Sequence, residues 1–143
     1  GTGGTLAGIL KSAQAHHKVI GFSVLKGTFQ SETVKKHNPD KAFELLDAYC
    51  FGGYAKVTEE LITFINDFKK VTQIPLDPVY TGKMMYAIKE GIKNRVFPKG
   101  SRILAIHTGG LQGIAGMNEQ LKKKNLVLIS QYVQENFIYC SLS

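Results

Sequence analysis

Ile74-Pro75-Leu76-Asp77-Pro78-Val79-Tyr80-Thr81-Gly82-Lys83 runs directly into Met84-Met85-Tyr86-Ala87-Ile88, a stiff segment feeding an apolar helical pattern. Prolines 75 and 78 fix φ, remove two backbone donors and disfavour helix in the residues before them, so the stretch from Pro75 to Pro78 is expected to be extended. Tyr80 and Thr81 then stand on a rigid mount at a helix entrance, where the helix dipole favours negative charge. A phenol and an alcohol at that place both donate and accept hydrogen bonds. On the residues alone the segment reads either as the wall of an active site or as a loop in which Thr81 is an ordinary helix cap.

Outward from this segment the chain alternates between two periodicities. On the amino-terminal side, Leu6, Ile9, Leu10 and Ala13 recur at helical spacing and predict a helix from about Thr5 to Ala15. Val19 to Leu25 reads as a buried strand, and Ala48 to Phe51 as another that ends at the Gly52-Gly53 turn. Between them, Asn38-Pro39-Asp40 suggests a helix start with Phe43, Leu45 and Leu46 as its apolar face. Thr58-Glu59-Glu60 opens an amphipathic helix carrying Leu61, Ile62, Ile65 and Phe68, which should stop near Thr72.

On the carboxyl-terminal side, a helix from about Gly82 to Arg95 is expected to turn Met84, Met85, Ile88 and Ile92 inward. Ile103 to Ile106 reads as a third strand, and Leu111 to Lys123 as a helix with Ile114, Met117 and Leu121 inward. Leu126 to Ile129 and Phe137 to Tyr139 are candidate short strands. This order predicts an α/β domain, three layers deep, with a mainly parallel sheet flanked by helices and a ligand site at the carboxyl ends of the strands.

At 143 residues, 43% of them apolar and 20% charged, the chain has the length and composition of one globular domain. No apolar run is long enough to cross a bilayer, so no membrane partner is expected, and the cytoplasm is the default location. The net charge of +7 does not form a basic stripe interleaved with aromatics, which argues against nucleic acid. Cys50 and Cys140 read as reduced thiols, and neither they nor His16, His17 and His37 have metal-ligand spacing, so no metal is expected.

Two glycine motifs precede helices, Gly1-Thr2-Gly3-Gly4-Thr5 and Thr108-Gly109-Gly110. In the first, unshielded amides of Gly3 and Gly4 at a helix N-terminus and the hydroxyls of Thr2 and Thr5 suit a phosphate dianion. Such a turn needs a strand before it, so sequence upstream of Gly1 is expected.

Taken with Phe51-Gly52-Gly53-Tyr54-Ala55-Lys56 and Ile106-His107-Thr108-Gly109-Gly110-Leu111-Gln112-Gly113, the Gly1 to Thr5 loop and the Ile74 to Lys83 segment stand in a register that resembles the D-cysteine desulfhydrase and 1-aminocyclopropane-1-carboxylate (ACC) deaminase family of pyridoxal-phosphate enzymes. The resemblance covers residues 1 to about 120 and implies the larger domain of a tryptophan-synthase-β-like fold, as the carboxyl-terminal part of a longer homodimeric enzyme. It implies that Gly1, Thr2, Gly3, Gly4 and Thr5 hold the phosphate of pyridoxal 5'-phosphate, that Tyr54 and Tyr80 approach a small amino-acid substrate, and that Thr81 meets the pyridine nitrogen. The Schiff-base lysine of the family lies upstream, outside this chain; Lys56 and Lys83 do not correspond to it and read as surface or supporting charge.

In ACC deaminases the residue at the place of Thr81 is a glutamate that protonates the ring. Threonine is neutral, which points to D-cysteine desulfhydrase-like β-elimination, with ACC deamination as the alternative. A non-catalytic anion-binding or scaffold domain is the alternative of another class. His107 has a family position near the site and reads equally as structural.

Overall fold

The computed structural model describes residues 2–27 and 29–130. Its elements, in chain order, are α1 (Gly4–Ser12), β1 (Ile20–Phe22), α2 (Gln30–His37), β2 (Glu44–Leu46), α3 (Glu59–Thr72), α4 (Thr81–Lys93) and α5 (Gly113–Lys123). β1 and β2 pair in parallel, with Ile20 opposite Glu44 and Phe22 opposite Leu46. Parallel neighbours need a crossover, and α2 supplies it. The α/β class is as expected, although the described sheet has two strands.

Local signals account for α3. Thr58 accepts the Leu61 amide and caps α3, whose first turn carries Glu59 and Glu60 and whose last turn carries Lys69 and Lys70, matching the dipole at both ends. Leu61, Ile62 and Ile65 from α3, Leu76, Tyr86 from α4, and Ile114, Met117 and Leu121 from α5 form the main core together with Ile129. α4 turns Ile88 inward as expected, but Ile92 is exposed, because the helix is near its end there and the core has already passed. A second, smaller core joins Ala7 and Leu10 of α1 to Val34 of α2.

Four expected elements differ. The helix placed after Asn38 is absent; α2 ends there instead, and the Asn38 side chain donates to the carbonyls of Ala7 and Val34. Residues 44–46 are drawn into the parallel ladder with β1, a non-local pairing that overrides their short helical pattern. The strand expected at Ala48–Phe51 is a turn, with Gly53 N–H donating to Cys50 O and Phe51 in the left-handed region at φ 52.

Ile103 to Ile106 joins no ladder among the described residues, and Leu104 is 85% exposed. Residues 126–129 are also not a strand. Asn118 both donates to and accepts from the Ile129 main chain at 2.8 and 2.9 Å, while Asn66 donates to Leu128 O and accepts from Ser130 N. Side-chain amides there take the place of a neighbouring strand. The candidate at Phe137 to Tyr139 lies outside the described residues. No described helix is long and apolar enough to cross a membrane.

At the edge of the main core the Tyr86 hydroxyl is hydrogen-bonded to Glu60 Oε1. That hydrogen bond, then burial and the Glu60 charge, push the phenol up to about 12. The folded protein therefore holds this proton more tightly than the unfolded chain, so the contribution is complete below about pH 10 and is lost as pH rises toward about 12. In urea titrations the stability advantage over Tyr86→Phe is expected to stay constant through neutral pH and to shrink across that window. An advantage that grows with pH there would contradict the assignment.

Candidate functional site

Asp77 organises the segment between Pro75 and α4. It is 1% exposed, and its carboxylate accepts four hydrogen bonds: Oδ1 from the amides of Val79 (2.8 Å) and Tyr80 (2.7 Å), Oδ2 from the Thr81 amide (2.8 Å) and the Thr81 hydroxyl (2.6 Å). The Asp77 amide donates back to Thr81 Oγ1 at 2.9 Å, and Asp77 O accepts from Gly82 N–H at 2.8 Å. The formal N-cap, Tyr80, makes no side-chain cap bond, so Asp77 takes over the orphan amides of the α4 entrance. Sequence reasoning passed over Asp77; the available signal was an aspartate two to four residues ahead of a helix start, the pattern of an Asx turn.

Thr81 is 2% exposed, and the donor bond to Asp77 uses its only hydroxyl proton. In this arrangement it has no proton to donate to a ring nitrogen; what it retains is one acceptor lone pair. Tyr80 leaves the same tether pointing outward, 37% exposed, with its ring 6.1 Å from that of Tyr54 in an edge-to-face arrangement. Hydrogen bonding with the Tyr54 side chain, then burial, then the charges of Tyr54 and Asp77, raise the Tyr80 phenol above its ordinary value. Two tyrosines 26 positions apart in sequence thus meet as one pair.

Of the two readings for Lys83, the structure takes the supporting one. It is 1% exposed, not a surface charge, and Nζ donates to Cys50 O and Gly53 O at 2.8 Å each. Burial lowers its ammonium below the ordinary lysine value, with the neighbouring Cys50 thiol and Asp77 carboxylate opposing. Lys56 is exposed. His107 Nδ1 accepts from Gly109 N–H, which leaves the proton on Nε2 to donate to Pro75 O at 3.0 Å. The turn from His107 to Gly110 is thereby tied to the tyrosine segment, and His107 is a brace for it.

The glycine loop lies at the other core. Gly1 is outside the described residues; Thr2 and Thr5 are exposed, and Gly3 has φ 92. A side chain on Gly3 would meet Val34 Cγ2 at 3.2 Å and Gln30 O at 3.3 Å, so the turn is pressed onto α2. α1 has no acidic residue in its first turn. Bare amides, two hydroxyls and no competing carboxylate form a donor set that fits a phosphate. Among the described residues no hydrogen bond or ring contact joins this loop to the tyrosine pair.

Against known proteins, the chain is 33% identical over 135 residues to the "Putative 1-aminocyclopropane-1-carboxylate deaminase" of Pyrococcus abyssi, a match covering 85% of this chain and 40% of the relative. The chain belongs to the D-cysteine desulfhydrase and ACC deaminase family. A bifunctional D-cysteine desulfhydrase/ACC deaminase, mitochondrial, of Arabidopsis thaliana is 41% identical over 70 residues, 48% of this chain and 18% of the relative. A D-cysteine desulfhydrase of Yersinia pestis is 36% identical over 84 residues, 59% of this chain and 26% of the relative.

Among solved structures, a crystal structure of an ACC deaminase homologue superposes with a TM-score of 0.75 at 30% identity, covering 86% of this chain and 41% of that one. No protein-family model matches. The chain spans about 40% of the length of the Pyrococcus relative and of the solved homologue.

Proposed function

We propose that this chain forms the phosphate-holding and substrate-facing part of a pyridoxal-phosphate-dependent, homodimeric, cytoplasmic lyase that converts a small amino acid, D-cysteine foremost, to a keto acid, ammonia and sulfide. The observation that carries the reading is the Tyr54–Tyr80 pair, held from beneath by Asp77 and Lys83. Bound pyridoxal phosphate supplies the electron sink that makes the α-proton of an amino acid removable. Thr2, Gly3, Gly4 and Thr5, with Gly1, would hold its phosphate.

In the elimination a proton leaves the α-carbon and sulfide leaves the β-carbon with its bonding pair. The released enamine then takes up water to give the keto acid and ammonia. Tyr80, a phenol, holds its proton at neutral pH, and Tyr54 beside it and burial raise it further, so it can orient the substrate carboxylate or protonate the departing thiolate. Tyr54 shares that role from the facing loop. Thr81 would bring to the ring nitrogen a neutral oxygen whose proton is already committed to Asp77, and no carboxylate of its own. A neutral contact suits elimination with a good leaving group better than opening a cyclopropane ring. The bifunctional name of the Arabidopsis relative keeps ACC as the second reading.

Full-length protein loaded with pyridoxal phosphate is to be mixed with D-cysteine and with ACC while the absorbance spectrum, sulfide and ammonia are recorded. Sulfide and ammonia in equal amounts from D-cysteine, with no ammonia from ACC, is the expected result. Ammonia from ACC alone would reverse the assignment, and silence toward both substrates would favour the anion-binding domain. The isolated 143-residue chain should release no ammonia, since the family's covalent anchor lies outside it.

A further inference from the structure

A buried ammonium with no carboxylate partner is rare, because desolvation of the charge is uncompensated. Lys83 is such a case: 1% exposed, outside every ion pair among the described residues, and bonded to two main-chain carbonyls. The loop that provides those carbonyls is also unusual. Phe51, Gly52, Gly53 and Ala55 all have positive φ (52, 88, 125 and 53), and two of them carry side chains that disfavour the left-handed region. Such a backbone persists where its surroundings over-determine it. Cys50 O and Gly53 O turn inward onto the ammonium, and the residue after Gly53 is Tyr54.

Lys83 itself lies in the first turn of α4, three positions after Tyr80. We infer that Lys83 is a positioning residue, whose buried ammonium locks the Gly52-Gly53 loop and so fixes the Tyr54 phenol against Tyr80. One side chain joins the two tyrosine-bearing segments, since it belongs to the helix that follows Tyr80 and grips the carbonyl that precedes Tyr54. Its catalytic consequence rests on the function proposed above; its effect on the tyrosine pair does not.

Lys83→Met keeps most of the length of the side chain and removes the donors. In full-length protein with ring-labelled tyrosine, Tyr80 is expected to titrate above its ordinary value, and Lys83→Met should bring it down to where Tyr54→Phe also places it. With cofactor and D-cysteine, kcat should fall by roughly 10- to 100-fold, as for a misplaced catalytic group, with KM much less affected. In a Tyr54→Phe background the same substitution should change kcat by less than about twofold, because the two residues act as one unit. Equal losses in both backgrounds, or a Tyr80 titration that Lys83→Met leaves in place, overturn the inference.

Should Lys83→Met fail to fold, the unsubstituted protein decides. Lys83 ammonium protons held by two carbonyls are expected to exchange with water more slowly than those of exposed Lys56, and equal exchange overturns the clamp. If no amino acid is turned over, the proposed function falls while the titration and exchange measurements still judge Lys83.

Discussion

Asp77→Ala is expected to destabilise the protein by about 3 kcal/mol or more, since it removes a helix cap and leaves three amides and a buried hydroxyl without their acceptor. The loss should fall on the site as well as on the fold. Without the carboxylate, Tyr80 is no longer pinned by its own amide, and the Tyr54–Tyr80 ring contact should loosen. Asp77→Asn is the graded control: an oxygen can still accept from Val79 and Tyr80, but an NH2 group then faces the Thr81 donors. Its loss should be about half that of the alanine variant, if each pair of bonds contributes similarly. Urea denaturation of both variants measures this. A change within about 0.5 kcal/mol for Asp77→Ala would show that the tether is dispensable.

Legibility in the sequence followed how local the cause was. α3 is readable because Thr58, the two glutamates and the Leu61, Ile62, Ile65 spacing are all contained within the helix. α2 is not, because Gln30 to His37 offers Val34 as its one buried aliphatic, and its place depends on α1 lying against it. β2 depends on β1, some two dozen residues away, so Glu44 to Leu46 carries no strand signal strong enough to oppose a helical reading. The same holds for residues 126–129, whose place is held by Asn66 and Asn118.

The site divides along the same line. Tyr54, Tyr80 and the glycine loop are readable as motif residues, and the structure brings the two tyrosines together. Their supports are not readable. The prolines explain only part of the rigidity from Pro75 to Thr81, whereas the buried carboxylate of Asp77 ties the segment down at four points. A lysine is a surface residue by default, and only three-dimensional packing shows that Lys83 is enclosed. Thr81 reads as a free hydroxyl because its partner sits four residues earlier, at a spacing that matters only once the chain has turned.

Gly82→Ala separates helix propensity from packing at this turn. On an exposed helix the substitution stabilises by about 1 kcal/mol, since alanine loses less backbone entropy. At Gly82 the added methyl would lie 2.7 Å from Asp77 O and 2.7 Å from Ile65 Cδ1. The first neighbour is backbone already bonded to the Gly82 amide, and the second belongs to the main core, so neither can yield freely. Overpacking of this kind costs about 1–3 kcal/mol, and a broken Gly82 to Asp77 bond adds about 1 kcal/mol more, so a net loss of about 2 kcal/mol is expected. Gly116, exposed on α5, is the matched control: a methyl added there would have no neighbour within 4 Å, and Gly116→Ala should stabilise. Opposite signs in paired thermal melts are the expected result, accompanied for Gly82→Ala by a Tyr80 phenol that titrates closer to its ordinary value as α4 moves off the Pro75 to Pro78 segment. If both variants gain stability, the α4 entrance is not in close contact with Asp77, and the rigid mount proposed for the tyrosine pair does not exist.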